Sequence, residues 1–277
     1  MRKHPLVAYF VLAYALSWSV HVPLALSAQG LLPGTLPASL HVLGAYGPML
    51  AALVVTGVTR GASGLRDLLR RMRRWRVGIG WLLVAAFSPA VFFLVSAVLI
   101  RLWNGVWPDL AQFGHIAEFP NLGWLGGWLV WTLTFGLGEE TGWRGFALPR
   151  LQRNRGARSA TLILGGLWAL WHLPQFFYNY ELTLFGVMGF AVSTMSGALV
   201  LTWLSNSTGG SVLVTMLWHG AFNTAVAGAQ GAMAPLVSGF VILAAVLIAN
   251  HSGPELRYRV AICSTPRTQA GLRRRHQ

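Results

Sequence analysis

The chain has 277 residues, of which 55% are hydrophobic and only 10% are charged. An average soluble domain carries about 25% charged residues, so this composition excludes an ordinary soluble fold and predicts a membrane protein. The net charge of +14 does not indicate a nucleic-acid partner, because the basic residues lie in short blocks between apolar stretches. The sequence also has no zinc-finger spacing or other nucleic-acid module.

The apolar stretches predict the fold. A membrane-spanning helix needs about 20 apolar residues, and the chain has eight such stretches. Together they predict one all-α membrane domain over residues 1–251, followed by a basic tail over residues 252–277. The first stretch is longer than the core of a signal peptide, so we expect it to remain as an uncleaved helix. The predicted spans are residues 5–27, 39–59, 78–101, 122–148, 159–178, 184–204, 211–228 and 235–250.

The charged residues predict the orientation of these spans. With the N-terminus inside, 19 of the 21 lysines and arginines fall in inner segments, and the exceptions are Arg101 and Arg144. The acidic residues Asp109, Glu118 and Glu181 fall in outer loops. Cytoplasmic loops are enriched in lysine and arginine, so the pattern predicts a multi-pass protein of the inner (cytoplasmic) membrane with both termini inside.

Two further features lie outside the spans. The arginine block at 66–76 fits a positive inner loop, and an amphipathic surface helix that binds anionic lipid is the alternative. The lone cysteine, Cys263, lies in the tail, so we expect neither an intrachain disulfide nor a cysteine metal site.

Few ionisable side chains lie near the middle of the predicted spans. Ionisable side chains at this depth are expensive and usually functional. His21 and His41 are set apart because they lie near the predicted outer ends of the first two spans. The remaining candidates occupy spans 4, 5 and 7, and they are Glu139, Glu140, Arg144, His172, His219 and Asn223.

Helical rise places these groups at one level. Counted from the inner end of each span, Glu139 lies ~18 Å deep and His172 ~20 Å deep. On span 7, His219 and Asn223 lie ~12 and ~18 Å deep. Three helices therefore bring polar groups to similar depths, which predicts one intramembrane cluster.

Spacing separates the two neighbouring glutamates. Consecutive residues point ~100° apart on a helix, so Glu139 and Glu140 cannot share one direction. Glu140 and Arg144 are four residues apart and can form an ion pair on one helix face, which leaves Glu139 as the free carboxylate. His219 and Asn223 also share a face because they are four residues apart.

The chemistry of these groups favours activation of water. Lys3 is the only lysine, Cys263 lies outside the cluster, and no serine stands in a recognisable nucleophile motif. A carboxylate in a low dielectric has a raised proton affinity and suits a general base, and a histidine beside it can hold the water. A carboxamide and a second imidazole can donate hydrogen bonds to an oxyanion.

A zinc site is the alternative. Two histidines and one glutamate can hold zinc with one position open for water, and here the ligands would be Glu139, His172 and His219. The His-Glu-x-x-His motif is absent, and the ligands would come from three helices. The sequence therefore favours a mechanism without a metal cofactor and leaves the zinc version open.

Three motifs resemble those of a known family. Glu-Glu-x-x-x-Arg at 139–144, Trp-x-x-x-His at 168–172 and His-x-x-x-Asn at 219–223 are similar, in order and spacing, to the motifs of the CPBP intramembrane proteases. This family includes the type II CAAX prenyl endopeptidases and bacterial bacteriocin-immunity and abortive-infection proteins. The resemblance covers the centre of the chain.

The resemblance implies a fold, a site and a substrate class. It implies eight helices around a cavity open to the cytoplasm, and a membrane-associated peptide or protein as substrate. It implies that Glu139 and His172 activate water and that His219 and Asn223 bind the oxyanion. Both metal-dependent and metal-free members are described, so the resemblance leaves zinc open. It also implies supporting roles for Glu140 and Arg144, and one departure is Trp168, where the family usually has phenylalanine.

Two other functions use the same residues. The polar groups could form a proton relay in a transporter, or the chain could be a non-catalytic immunity protein. A transporter usually shows an internal repeat, and this sequence has none. The three motifs together favour the protease.

Overall fold

The computed structural model describes residues 1–117, 119–228 and 232–258, so Glu118 and the tail from residue 259 onward lie outside the described residues. Within the described part, the regular structure is entirely helical, without strands. The all-helical prediction is therefore confirmed. The α-helices in chain order are α1 (Pro5–Ala28), α2 (His41–Gly44), α3 (Gly47–Met72), α4 (Ile79–Asn104), α5 (Gly123–Trp131), α6 (Leu137–Gly142), α7 (Leu148–Leu151), α8 (Ala157–Trp171), α9 (Leu184–Ser207), α10 (Val212–Ala227) and α11 (Met233–His251).

Five helical segments in the described part are long and apolar enough to cross a membrane. They contain α1, α3, α4, α9 and α11, and they correspond to predicted spans 1, 2, 3, 6 and 8. The other three predicted spans are shorter or interrupted: α8 has 15 residues and α10 has 16, which is ~23–24 Å at 1.5 Å per residue. These three are the ones that carry the predicted site.

Helix α3 is bent at Gly61. This residue has φ 60° and ψ −156°, a conformation that only glycine adopts at little cost. The chain before the bend matches the predicted second span. The part after the bend is a second helical segment, which ends at Met72 and carries Arg66, Arg70 and Arg71 of the arginine block, with Leu68 buried against the bundle.

Hydrogen bonds between helix ends define one end of the bundle, which we call the basic pole. Arg74, after α3, donates from Nη1 to the Gly209 carbonyl at 2.7 Å and accepts at its own carbonyl from Ser211 Oγ at 2.7 Å. Arg158, at the start of α8, donates from Nη2 to the Ala249 carbonyl near the end of α11 at 2.6 Å. The ends of α3, α9 and α11 therefore lie together with the starts of α8 and α10.

The other ends of the helices meet at the opposite pole. Gln29, after α1, donates from Nε2 to the Phe177 carbonyl beyond α8 at 2.8 Å. The backbone N–H of Gly114, in the loop after α4, donates to the Thr224 carbonyl near the end of α10 at 2.9 Å. The helices thus alternate in direction along the chain.

Charge is distributed unequally between the poles. Among the described residues, the lysines and arginines lie at the basic pole, with Arg101 and Arg144 as the exceptions. The acidic residues Asp109 and Glu181 lie in loops at the opposite pole. The bundle is therefore polarised along its axis.

Candidate active site

The first motif begins on α6, a short helix between two π-helical segments, and ends at Arg144 in the second of them. These segments are Thr132–Gly136 and Trp143–Ala147. The sequence predicts one regular span over 122–148, and the structure instead has a continuous helical rod with two local changes of hydrogen-bond register. Such π segments are rare and frequently occur at functional sites.

Glycines let α6 sit deep among its neighbours. A Cβ atom at Gly136 would lie 2.5 Å from the Met216 carbonyl oxygen on α10, and one at Gly138 would meet the backbone at Ala45. These close approaches need residues without side chains. They hold Glu139 and Glu140 inside the bundle, where the two residues are 1% and 0% exposed.

Glu139 is held by two tryptophan side chains. Its Oε2 accepts a hydrogen bond from Trp168 Nε1 at 2.6 Å and another from Trp143 Nε1 at 3.3 Å. Its Oε1 is buried and has no hydrogen-bond partner among the described residues. Trp168 belongs to α8, so this bond places Glu139 beside the second motif, as the depth estimate predicts.

Glu140 forms the predicted ion pair. Its Oε1 accepts from Arg144 Nη1 at 2.8 Å, and both side chains are fully buried. The same oxygen lies 3.0 Å from His219 Nδ1 on α10. The Arg144 guanidinium also stacks over the ring of Trp168, 4.6 Å from the centroid. Glu140 therefore links α6 to α10.

The tautomer of His219 follows from this contact. An ionised carboxylate only accepts hydrogen bonds, so Nδ1 must carry a proton. Nε2 is the ring nitrogen left for a ligand, and when the ring is protonated Nε2 also donates.

His172 is oriented by the end of α8. Its backbone N–H bonds to the Ala169 carbonyl at 3.2 Å, one residue closer than in a regular α-helix. The Trp168 carbonyl is therefore available, and His172 Nδ1 contacts it at 2.7 Å. Because a carbonyl only accepts, Nδ1 carries the proton, and Nε2 of the neutral ring is an acceptor.

One cavity joins these residues. It has a volume of about 850 Å³ and is lined by all four residues predicted to be catalytic, together with Trp168. His172 and His219 are only 7% and 5% exposed, and Asn223 is half-buried one turn beyond His219. The size suits a peptide-sized ligand, since binding pockets usually measure about 300–1,000 Å³.

The cavity opens at the opposite pole. Its rim includes the exposed residues Ala117, Asn179, Glu181 and Phe185, which lie in or beside the loops at that end.

Sequence reasoning missed part of the lining. The sequence places His41 near an outer helix end, away from the predicted cluster, yet His41 lines the cavity. His21 and His41 both contact the Tyr178 hydroxyl through Nδ1, at 2.7 and 2.8 Å. Tyr180 also lines the cavity. It lies in a loop, and nothing in the sequence around it indicates such a role.

The zinc alternative requires three side chains that converge on one point. Within the described ranges, no group of three or more His, Cys, Asp and Glu side chains is placed to hold a metal ion. Glu139, His172 and His219 therefore do not form a metal site in this geometry.

These features define a class: a multi-pass helical membrane protein with a carboxylate, two imidazoles and a carboxamide around one buried cavity. Comparison with known proteins adds the family. Residues 120–225 match the family model described as type II CAAX prenyl endopeptidase Rce1-like. The chain is also 23% identical over 199 residues to CAAX prenyl protease 2 of Methanococcus maripaludis, a match that covers 65% of this chain and 68% of that protein.

Both findings support the CPBP/CAAX protease family, which is the family that the three motifs predict. They also support a membrane protease. The matched region contains all of the predicted site residues, from Glu139 to Asn223.

Proposed function

We propose that this protein is an intramembrane endopeptidase of the cytoplasmic membrane that hydrolyses a peptide bond of a membrane-associated peptide or protein. The observation that carries the proposal is the convergence of Glu139, His172, His219 and Asn223 on one cavity inside an apolar bundle. Ionisable groups in such surroundings are expensive and are retained for function.

The proposal includes eight spans with both termini inside. Helices α5 to α7 with their π segments would form one span, and α8 and α10 would form two shorter ones. Their short length agrees with the site, because helices that end inside the membrane place polar groups beside a cavity.

In the proposed reaction, Glu139 is the general base. It removes a proton from water while the water oxygen forms a bond to the carbonyl carbon of the substrate. The two indole N–H groups hold Oε2 in place, so little reorganisation is needed. His172 has Nδ1–H engaged by the Trp168 carbonyl, and its Nε2 can accept a hydrogen bond from the same water.

The oxyanion formed by this attack needs donors. His219 in its protonated form donates from Nε2, and the Asn223 side-chain amide donates beside it. Glu140 holds the His219 ring through Nδ1, and Arg144 balances the charge of Glu140. The C–N bond then breaks, and the proton taken by Glu139 passes to the leaving amine.

A cleavage assay tests the proposal. The purified protein in liposomes is incubated with a library of quenched fluorescent peptides that carry a lipid anchor. We expect cleavage, and we expect Glu139→Gln to abolish it because an amide cannot accept the proton. Asp67→Asn is the matched control, since it makes the same change at the surface beyond the Gly61 bend. Full activity in folded Glu139→Gln would contradict the proposed role.

A further inference from the structure

A second pocket lies at the basic pole, where the chain passes from α3 to α4. It has a volume of about 530 Å³ and shares no lining residue with the active-site cavity. Five arginines line it, and its described lining contains no acidic residue. The pocket therefore has the chemistry of an anion-binding site. The five are Arg66, Arg70, Arg73, Arg74 and Arg76.

The bend of α3 at Gly61 builds one wall of this pocket. A Cβ atom at Gly64, just after the bend, would lie only 2.5 Å from Arg60 Cβ, an approach that needs a residue without a side chain. Asp67 then holds the second segment of α3 in place, with its carboxylate 3.9 Å from Arg60 Nη1 and 3.6 Å from Arg71 Nη2. Both of these ion pairs are with arginines outside the pocket lining.

The arginines of this wall share one face. Arg66, Leu69, Arg70 and Arg73 are spaced by three and four positions, so they form one stripe along the helix. Leu68, on the side turned to the bundle, is 1% exposed, whereas Arg66, Arg70 and Arg73 are exposed. Like charges four residues apart destabilise a helix, and a bound anion would remove that repulsion.

Hydrogen bonds fix the turn that forms the other wall. Arg74 donates from Nη1 to the Gly209 carbonyl and accepts at its own carbonyl from Ser211 Oγ, both at 2.7 Å. The Val77 N–H donates to the Trp75 carbonyl at 2.9 Å. Because the backbone of the turn is already ordered, a ligand binds there at a smaller cost in conformational entropy.

The pocket combines its charge with apolar surface next to the lipid. It lies between two helical segments that are long and apolar enough to cross a membrane, Ala38–Met72 and Ile79–Asn104. The turn that joins them would therefore lie at a membrane surface, whichever face that is. Leu69 and Trp75 also line the pocket and are 39% and 60% exposed, and tryptophan is enriched at membrane–water interfaces. This combination suits a lipid better than a free ion.

We propose that this pocket binds the phosphodiester headgroup of an anionic phospholipid. The planar guanidinium groups of the five arginines match phosphate oxygens with paired N–H donors, and the exposed sides of Leu69 and Trp75 contact the apolar part of the lipid. Clusters of four to eight basic residues beside a membrane span are a recognised form of anionic-lipid site. The lipid site is independent of the proposed peptidase activity.

A lipid-binding assay tests the proposal. The full chain is purified in a neutral detergent and titrated into phosphatidylglycerol that carries a fluorophore on one acyl chain, with fluorescence anisotropy as the readout. We expect saturable binding that unlabelled phosphatidylglycerol displaces and that phosphatidylcholine, which has no net charge, displaces poorly. Equal displacement by the two lipids would overturn recognition of an anionic headgroup.

Matched pairs of substitutions locate the binding. Arg66→Gln/Arg70→Gln removes two charges from the helical wall, and we expect roughly 30-fold weaker binding, from about fivefold for each basic residue near an anionic membrane surface. Arg153→Gln/Arg155→Gln is the control, because it removes the same charge from exposed residues of the basic pole that do not line the pocket. Equal weakening by the two pairs would mean adsorption to overall charge and would overturn the pocket.

A soluble headgroup separates a lipid from a free phosphate compound. Glycerol 3-phosphate has the phosphate and glycerol of the lipid without acyl chains, so we expect it to displace the labelled lipid far less than phosphatidylglycerol does at equal concentration. Equal displacement would assign the pocket to a soluble phosphate compound and overturn the lipid. Thermal unfolding of each variant checks that the substitutions at the surface leave the fold intact.

Discussion

Replacement of Trp168 by phenylalanine would test how Glu139 is held. Trp168 donates the shorter of two indole hydrogen bonds to Glu139 Oε2, at 2.6 Å against 3.3 Å for Trp143. The three-motif family usually has phenylalanine at this position, which has no N–H. Trp168→Phe therefore keeps an aromatic ring in the cavity wall and removes one donor from the proposed base.

The expected loss of kcat in Trp168→Phe follows from the strength of the hydrogen bond that is removed. A hydrogen bond to a charged group contributes about 1.5–3 kcal/mol. If this bond holds the carboxylate for the attack on water, its loss lowers kcat by roughly 10- to 150-fold, at 1.36 kcal/mol per factor of ten. We expect Trp143→Phe to lower kcat by less, because its bond to Glu139 is longer.

The assay is steady-state cleavage of a quenched peptide in liposomes, with kcat and KM determined separately. Trp171→Phe is the matched control. Trp171 is fully buried on the same helix, and its Nε1 has no hydrogen-bond partner among the described residues. The control removes the same volume without a bond to Glu139. Equal losses in the two variants, or wild-type kcat in folded Trp168→Phe, would refute the reasoning.

Three further predictions concern stability and metal content. Glu140→Gln should destabilise the protein by about 3–5 kcal/mol because it leaves Arg144 buried without its counter-charge, and the double variant with Arg144→Met should recover stability in thermal unfolding. Gly138→Ala should lower the free energy of unfolding by about 1–3 kcal/mol through overpacking, because its Cβ would meet the Ala45 backbone. Gly166→Ala is the control and should not destabilise the protein, since its Cβ would meet no atom within 4 Å. Equal melting temperatures of the two variants would contradict this prediction. Cleavage should persist after treatment with a chelator, with metal well below one equivalent by elemental analysis, and activity that is lost and then restored by Zn²⁺ would favour the zinc version.

The spacing of residues along the sequence was sufficient to predict a contact between two side chains on one helix. It was also sufficient to predict the depth of a side chain, because helical rise sets that depth. The Glu140–Arg144 pair follows from a separation of four residues, and the structure has it at 2.8 Å. The common depth of the motifs follows from counting residues, and the contacts of Glu139 with Trp168 and of Glu140 with His219 are consistent with it. These features depend on local geometry, which the sequence determines directly.

The tertiary structure decided the features that depend on contacts between helices. The indole of Trp168 on α8 donates to Glu139 on α6, and no pattern within either helix predicts that bond. The two π segments around α6 change the register of the backbone hydrogen bonds, and a hydropathy pattern does not distinguish an α-helical register from a π-helical one. The shared cavity depends on how α6, α8 and α10 pack against one another, because each supplies a residue of the site, and only the tertiary structure sets that packing.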